Sequence, residues 1–246
     1  MYPERMKQRA AERAGIYGSF DAYASGTDPH AIDRHVMTDL AYARIYAGGL
    51  MAHLRALRVP GPARILDVGC AIGTITAALA DAVGDGAELC GVDLSSSAVE
   101  FARSRYPACR FEVCSADELE PFGPDAFDLI HVREFYPFSR TADAGLHLRF
   151  LAAFARALRP GGAVAAVQIV DRAGLADSLG ELRRTAPALG YATVVRAAMV
   201  PQTLFRRIGR ASYGPFVYPV LASGLALIEA LRPGRVSYLY LFRKTG

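Results

Sequence analysis

Lysine is almost absent from this chain of 246 residues, in which Lys7 and Lys244 are the only two, although the formal charge is +4. The cationic side chains are therefore nearly all arginines, and these are spread along the sequence rather than gathered in a basic tail. Nucleic-acid-binding segments typically carry a dense basic patch or stripe. Charge alone therefore gives no reason to expect a nucleic-acid partner.

Cysteine is also scarce, and its spacing excludes the common metal motifs. The chain has four cysteines, without a CxxC pair or a matching histidine pattern. We expect small buried residues rather than metal ligands or disulfides, and we predict no metal site. The first fifteen residues are charged and lack the apolar segment of a signal peptide, which predicts a cytoplasmic protein. The cysteines are Cys70, Cys90, Cys109 and Cys114.

Short apolar runs alternate with helical patterns from residue 64 onward, in a chain of ordinary globular composition that is 52% hydrophobic and 21% charged. This order predicts an α/β fold with a parallel sheet and helices on both faces. Before it, residues 33–57 predict helix, with Gly48-Gly49 as a break. A later helix is predicted over 145–162, closed by Pro160-Gly161-Gly162. The predicted strands are 63–69, 87–95, 109–117, 127–132, 163–170, 191–200 and 235–244.

The segment RILDVGCAIGTIT, residues 64–76, ends a predicted strand in an acid and a glycine turn. It lacks the middle glycine of the dinucleotide loop GxGxxG, because position 71 is alanine. It also lacks the lysine of a phosphate loop, because Thr74 follows Gly73. The negative charge of Asp67 would repel a phosphate but would attract a cationic or amine-bearing ligand. S-adenosylmethionine carries a sulfonium, an amino group and ribose hydroxyls and no phosphate, so it fits this loop better than a dinucleotide does.

Further carboxylates follow the next two predicted strands. Asp93 ends the second strand, and a carboxylate there can accept both ribose hydroxyls, although NAD(H) enzymes use the same acid. Asp117 follows the third strand and is a candidate acceptor for the adenine amine, with Leu94 packed on the ring. Taken singly, each acid is equally explained as a turn residue or a helix cap. Their common position at strand ends, where such sheets bind ligands, favours one nucleoside site.

Five segments carry a family resemblance over about residues 60–170. LDVGCAIGT, GVDLS, SADELEPF, FDLIHVREF and LRPGG resemble, in that order, the motifs of class I, Rossmann-like, S-adenosylmethionine-dependent methyltransferases of the small-molecule type. GSFDAYASG resembles the helix that often precedes this domain and closes over the cofactor. The one departure is Ala71, which stands where the family has the middle glycine of its first motif.

The resemblance implies an architecture and a cofactor site. The expected fold is a Rossmann-like three-layer sandwich with a mostly parallel seven-stranded sheet. An N-terminal helical lid is expected over 1–58 and the methyltransferase domain over 59–246, with a helical insertion at 201–234 before the last strand. The residues expected to bind S-adenosylmethionine are Phe20, Tyr23, Asp67, Gly69, Cys70, Ala71, Gly73, Asp93, Leu94, Ala116, Asp117, Glu118, Val132 and Arg133.

The segment HVREFYPF, residues 131–138, bears on the acceptor. Enzymes of this fold that methylate nucleic-acid amines carry [DN]PP[YF] there, so its absence argues against a nucleic-acid acceptor. His131 is equally explained as a hydrogen-bonded histidine inside the strand end, and Glu134 as a residue that holds a helix N-terminus. Arg133 is a candidate clamp for an acidic group on the substrate, or a partner of Glu134 or Glu118. The candidate general bases are His35, His131, Glu134 and Tyr136.

The insertion at 201–234 contains an apolar run from Pro215 to Leu231, with Pro219 inside it and Glu229 near its end. The run is too short and too interrupted for a transmembrane span. A helix packed on the domain or forming part of a lid explains it. The alternative is a hydrophobic acceptor pocket or a peripheral membrane contact, assisted by nearby arginines.

These patterns together predict methyl transfer from S-adenosylmethionine to an oxygen or nitrogen of a small-molecule acceptor. We expect a role in secondary metabolism and a cytoplasmic monomer or homodimer, with no nucleic-acid partner. Two alternatives remain open. An NAD-dependent oxidoreductase is disfavoured by Asp67, by the missing middle glycine and by the lack of a Tyr-x-x-x-Lys pair. A non-catalytic nucleoside-binding protein is disfavoured by the complete set of cofactor residues.

Overall fold

A computed structural model describes residues 40–139, 143–170, 186–198, 220, 223–224, 227 and 236–246. A helix separates the first strand from the second and the second from the third, and helices also lie between the fourth and the fifth, whereas the third and fourth strands are joined by a described segment without a helix. A 3-10 turn, Ala186–Leu189, precedes the sixth strand. In chain order the elements are α1 (Leu40–Ala56), β1 (Arg64–Val68), α2 (Thr74–Val83), β2 (Glu88–Asp93), α3 (Ser96–Arg105), β3 (Arg110–Val113), β4 (Phe127–Arg133), α4 (Tyr136–Ser139), α5 (Ala144–Ala157), β5 (Leu158–Val170), β6 (Tyr191–Ala198) and β7 (Val236–Lys244).

The strands form one seven-stranded sheet in the order β3-β2-β1-β4-β5-β7-β6. The pairs among β1 to β5 are parallel, whereas β7 lies antiparallel between β5 and β6. The predicted α/β class and the mostly parallel seven-stranded sheet are therefore confirmed. The direction of winding reverses between β1 and β4, and ligands of such sheets bind at the carboxyl ends of the strands at that point.

Each face of the sheet is covered by its own apolar cluster. Leu129 of β4 packs with Leu50 of α1 and Leu79 of α2 on one face. Its neighbour Ile130 packs with Phe154 of α5 on the other face. Successive side chains of a strand point to opposite faces, so two-sided coverage explains why the central strands carry apolar residues on both faces.

Helix α1 runs without a break through Gly48 and Gly49, so the predicted break there is wrong. A glycine in a helix interior costs about 1 kcal/mol relative to alanine. The buried side of α1, which includes Tyr46, Leu50 and Leu54, packs in the cluster that covers β1 and β4. This tertiary packing offsets the poor helix propensity of the two glycines.

The predicted end of the helix before β5 is also wrong. Helix α5 ends at Ala157, and extended backbone begins at Leu158 rather than after Gly162. A proline ring disfavours helical backbone at the residue before it. Pro160 therefore keeps Arg159 out of the helix, so the helix must end before Arg159. The pairing of β4 with β5 is irregular at this point: Phe127 pairs with Leu158 and Leu129 pairs with Ala163, so β5 has more residues than β4 between these two pairs.

Several predicted features lie outside the described residues. These are the first 39 residues of the predicted lid, with Phe20, Tyr23 and His35, and nearly all of the predicted insertion. Among the residues that the structure describes, no helix is both long and apolar enough to cross a membrane. All four cysteines are buried thiols, as expected.

Candidate active site

The loop between β1 and α2 is held against β2 by its backbone. The amides of Gly69 and Cys70 donate hydrogen bonds of 2.8 and 3.0 Å to the carbonyl of Val92. Gly69 and Gly73 have φ of 72° and 79°, the left-handed region that glycine adopts without strain. Ala71 also has a positive φ, of 47°, at the position where the family motif has glycine. A left-handed alanine costs roughly 1–2 kcal/mol, which the surrounding contacts must offset.

The two glycines serve different purposes. A Cβ atom on Gly73 would lie 2.7 Å from Phe111 Cζ and 2.8 Å from Ala102 Cβ, so glycine lets α2 begin against β3 and α3. A Cβ atom on Gly69 would meet only a Phe135 ring carbon, at 3.6 Å. Gly69 is itself exposed, whereas Gly73 is buried. The open side of the loop is therefore at Gly69, where a ligand can approach the backbone.

Asp93 ends β2 with both carboxylate oxygens bound by backbone amides. Oδ2 accepts a 2.9 Å hydrogen bond from the amide of Ala71, and Oδ1 accepts one of 2.9 Å from the amide of Ser95. The side chain is buried, and this burial raises the pKa of the carboxyl, while the two amide hydrogen bonds act in the opposite direction. Each oxygen keeps a second lone pair, so the oriented carboxylate can also accept hydroxyl groups.

Asp67 lies inside the domain rather than in a solvated turn. Its Oδ1 is 2.8 Å from Nδ1 of His131 on β4, and its Oδ2 accepts a 2.6 Å hydrogen bond from the hydroxyl of Thr76 on α2. The other ring nitrogen of His131, Nε2, is 2.7 Å from the hydroxyl of Tyr46 on α1. His131 has no exposed surface, and both of its nitrogens are hydrogen-bonded. Its role in proton transfer stays a prediction.

The turn after β3 lies beside Asp93, because the amide of Cys114 donates a 3.0 Å hydrogen bond to the Asp93 carbonyl. Within this turn, the Ser115 hydroxyl donates to Oδ1 of Asp117. The other Asp117 oxygen lies 3.6 Å from Nε of Arg149 on α5. Ala116 is buried, while Leu94, Asp117 and Glu118 are half-buried. The turn that carries the predicted adenine residues therefore begins beside the backbone of Asp93, the predicted ribose-binding residue.

The end of β4 completes the same edge of the sheet. Val132 is buried, and the half-buried Arg133 places its Cζ atom 4.6 Å from the ring centroid of Tyr46. The next residue, Glu134, has a φ of 47° and donates its amide to the carbonyl of Val167 on β5. Tyr136 begins α4, and its side chain is not among the described ones.

Sequence reasoning missed two members of this arrangement, Tyr46 and Thr76. Neither lies in a recognised motif, and each lies in a segment whose residue pattern predicts only a helix. The signal for Tyr46 was its spacing from Leu50 and Leu54, which places a polar hydroxyl on the buried side of α1. Thr76 stands three residues after Gly73, within reach of the carboxylate at the start of the loop.

The donor and acceptor groups at this edge suit a nucleoside without phosphates. Two buried carboxylates, Asp67 and Asp93, flank a loop whose backbone is open at Gly69. Such negative charges would repel a pyrophosphate and favour binding of a cationic ligand that carries ribose hydroxyls. A family model described as a methyltransferase domain matches residues 65–162, which span the loop, Asp93 and Asp117. These residues form a methyltransferase domain. The match confirms the predicted resemblance to the class I S-adenosylmethionine-dependent methyltransferases and, with it, the predicted cofactor, S-adenosylmethionine.

Curated methyltransferases show partial similarity to this chain. It is 32% identical over 179 residues to a trans-aconitate 2-methyltransferase of Methylobacterium radiotolerans, covering 71% of this chain and 63% of that protein. It is 35% identical over 126 residues to an O-methyltransferase of Penicillium expansum, covering 46% of this chain and 41% of that one. The chain thus spans less than two-thirds of the length of these relatives.

Solved methyltransferase structures share the fold. A phosphoethanolamine N-methyltransferase 2 of Haemonchus contortus, in complex with S-adenosyl-L-methionine, superposes with a TM-score of 0.53 at 22% identity, covering 80% of this chain and 52% of that one. A protein of Galdieria sulphuraria described as a putative sarcosine dimethylglycine methyltransferase has the same TM-score at 19% identity, covering 82% and 85%. At these identities the likeness establishes the fold alone.

Proposed function

We propose that this chain transfers the methyl group of S-adenosylmethionine to an oxygen or nitrogen of a small-molecule acceptor in secondary metabolism. The observation that carries the proposal is the oriented carboxylate of Asp93, beside a glycine loop that opens with a second carboxylate. The names of two relatives, a trans-aconitate 2-methyltransferase and an O-methyltransferase, support a small acceptor and favour oxygen. The absence of [DN]PP[YF] after β4 supports the exclusion of nucleic acid.

Different residues among those described would bind the ribose, the adenine and the methionine part of the cofactor. Asp93 would accept the ribose hydroxyls with the lone pairs that the amides of Ala71 and Ser95 leave. Asp117 would accept the adenine amine, with Leu94 and Ala116 against the ring. The open backbone at Gly69 would receive the methionine end, where the charge of Asp67 favours the amino group and the sulfonium. S-adenosylmethionine, when bound, supplies a methyl group on a positively charged sulfur.

The acceptor side is proposed from the end of β4 and from the segments predicted as lid and insertion. Such a displacement requires the enzyme to align the acceptor lone pair with the methyl group. Glu134, Tyr136 and His35 are the proposed bases for an acceptor that must lose a proton, and Arg133 is the proposed clamp for an acidic group. Residues 1–58 and 201–234 would select the acceptor. We place the protein in the cytoplasm as a monomer or homodimer.

Calorimetric titration tests the donor site directly. S-adenosylmethionine and S-adenosylhomocysteine should bind the protein, and NAD should not. Asp93→Ala should abolish binding, whereas Asp81→Ala should leave it unchanged, because Asp81 is half-exposed on α2 and pairs with Arg44. Binding of NAD alone would overturn the proposal and favour a hydride-transfer enzyme. Confirmed cofactor binding would then justify a screen of small acceptors with a labelled methyl donor, in which no transfer to any acceptor would favour a non-catalytic nucleoside-binding protein.

A further inference from the structure

A buried chain of four polar side chains links helix α1 to both ends of the cofactor loop. Tyr46 on α1 lies 2.7 Å from His131 on β4, which lies 2.8 Å from Asp67 on β1, which accepts a 2.6 Å hydrogen bond from Thr76 on α2. Each of the four residues is at most 4% exposed. None of the family motifs quoted above includes Tyr46 or Thr76.

The donor and acceptor properties of these four side chains determine the direction of each hydrogen bond between them. A carboxylate only accepts hydrogen bonds, so His131 donates from Nδ1 to Asp67. A neutral imidazole protonated at Nδ1 offers a lone pair at Nε2, which accepts the hydroxyl proton of Tyr46. Thr76 donates to the second oxygen of Asp67. Removing the hydroxyl of Tyr46 would therefore leave a fully buried ring nitrogen unsatisfied and release the ring from its fixed orientation.

The position of Asp67 carries this effect to the cofactor. Asp67 precedes the loop 69–73 by two residues, and Thr76 follows it in the first turn of α2. One carboxylate thus joins both ends of the loop, and His131 determines where that carboxylate lies. On the other side of Tyr46, the guanidinium of Arg133 lies 4.6 Å from the ring centroid, at the end of β4. The tyrosine is held between the histidine and the arginine.

We propose that Tyr46 is a positioning residue of the cofactor site, whose hydroxyl orients His131 and, through it, Asp67 and the loop at the methionine end. The proposal rests on the proposed function, because it assumes that S-adenosylmethionine binds at this loop. In this proposal His131 connects Tyr46 to Asp67, because one of its ring nitrogens is hydrogen-bonded to each of them. It also makes α1 a part of the donor site and not only a cover for the sheet.

Tyr46→Phe tests the proposal, because phenylalanine keeps the ring and its contact with Arg133 and removes only the hydroxyl. The matched control is Tyr191→Phe, which removes a hydroxyl that is equally buried and donates a 2.8 Å hydrogen bond to the Leu151 carbonyl on the other face of the sheet. We expect Tyr46→Phe to raise the Kd for S-adenosylmethionine about tenfold, and Tyr191→Phe to change it less than about twofold. Equal Kd values for Tyr46→Phe and wild type, with both variants similarly destabilised in thermal unfolding, would show a purely structural role.

A second pair of variants keeps the proposal testable if Tyr46→Phe does not fold. Thr76→Val removes the hydroxyl that bonds Asp67, whereas Thr76→Ser keeps it. Valine should weaken binding of S-adenosylmethionine and serine should restore it to near the wild-type value. Loss of binding in both variants, or in neither, would overturn the role of this hydrogen-bonded chain.

Nitrogen-15 NMR of the imidazoles tests the same chain without cofactor. In the wild-type protein, His131 should carry its proton on Nδ1 and not on Nε2, and a proton found on Nε2 would overturn the proposal. Failure of the proposed function gives a different result. A wild-type protein that binds no S-adenosylmethionine contradicts the function, whereas a wild type that binds while Tyr46→Phe binds equally well contradicts only the role of Tyr46.

Discussion

The carboxylate of Asp93 accepts a 2.9 Å hydrogen bond from the backbone amide of Ala71, across the gap between the end of β2 and the cofactor loop. The side chain proposed to hold the ribose thus also holds the loop proposed to receive the methionine. A left-handed residue such as Ala71 directs its amide toward this oxygen at some cost in backbone energy. The two halves of the cofactor site are therefore coupled through one carboxylate.

Cofactor affinity should fall on acidification. Burial raises the pKa of the Asp93 carboxyl above its ordinary value of 3.8, so it takes up a proton at a higher pH than a solvated aspartate does. The protonated form loses its charge and part of its capacity to accept ribose hydroxyls. The Kd for S-adenosylmethionine, measured by calorimetry from about pH 7 downward, should rise before pH 3.8 is reached. The variant Asp93→Asn should bind more weakly at neutral pH, with a flatter pH profile; an equally steep profile would assign the proton to another group.

Gly73→Ala should destabilise the fold more than Gly84→Ala does. Gly73 is left-handed (φ 79°, ψ 4°) and Gly84 lies in a region that is nearly exclusive to glycine (φ 93°, ψ −172°), so both substitutions impose backbone strain of roughly 1–3 kcal/mol. Only the Cβ at position 73 would also collide with Phe111 and Ala102, since nothing lies within 4 Å of the Cβ position at Gly84. Overpacking adds about 1–3 kcal/mol. Urea denaturation of the two variants measures the difference, and equal losses would mean that Phe111 moves aside without cost.

The free energy of unfolding should decrease as the pH falls from 6.5 toward 4. Burial lowers the pKa of His53, on α1, from 6.5 to about 4. Between these values the unfolded chain binds a proton that the native state does not, so acidification favours unfolding. The full effect is on the order of 3 kcal/mol. Denaturant titrations of wild type and His53→Gln at several pH values isolate it, because glutamine does not titrate; parallel curves for the two proteins would contradict the assignment.

The cysteines should resist thiol reagents while the protein is folded. All four are buried, and burial raises the pKa of each thiol, that of Cys90 to about 12, so little thiolate forms near neutral pH. Labelling with a thiol-specific chromogenic disulfide at pH 8 should be slow in buffer and complete in denaturant. A cysteine that reacts at once in the folded protein would show that its surroundings open to solvent.

Local sequence patterns were sufficient for much of the fold and for part of the site. Strands such as β1 and β4 contain consecutive apolar residues, because both of their faces are covered, and such runs are visible in sequence. Asp67, Asp93 and the glycines between β1 and α2 could also be predicted, since a tight turn and a strand-end carboxylate are short-range features. The uninterrupted path of α1 through Gly48 and Gly49 could not, because helix propensity argues against it and only packing on the sheet compensates.

Residue patterns were enough to predict the order of the elements, the family resemblance and the acids placed at the ends of β1 and β2. The polar side chains that meet could be identified from the folded chain and not from those patterns. Tyr46 and His131 are 85 residues apart along the chain, and His131 and Asp67 are 64 apart. Parallel pairing of β1 with β4 brings Asp67 opposite His131, and packing of α1 over that face brings Tyr46 to the ring. Contacts of this range follow from strand register and helix packing, which local residue patterns do not specify.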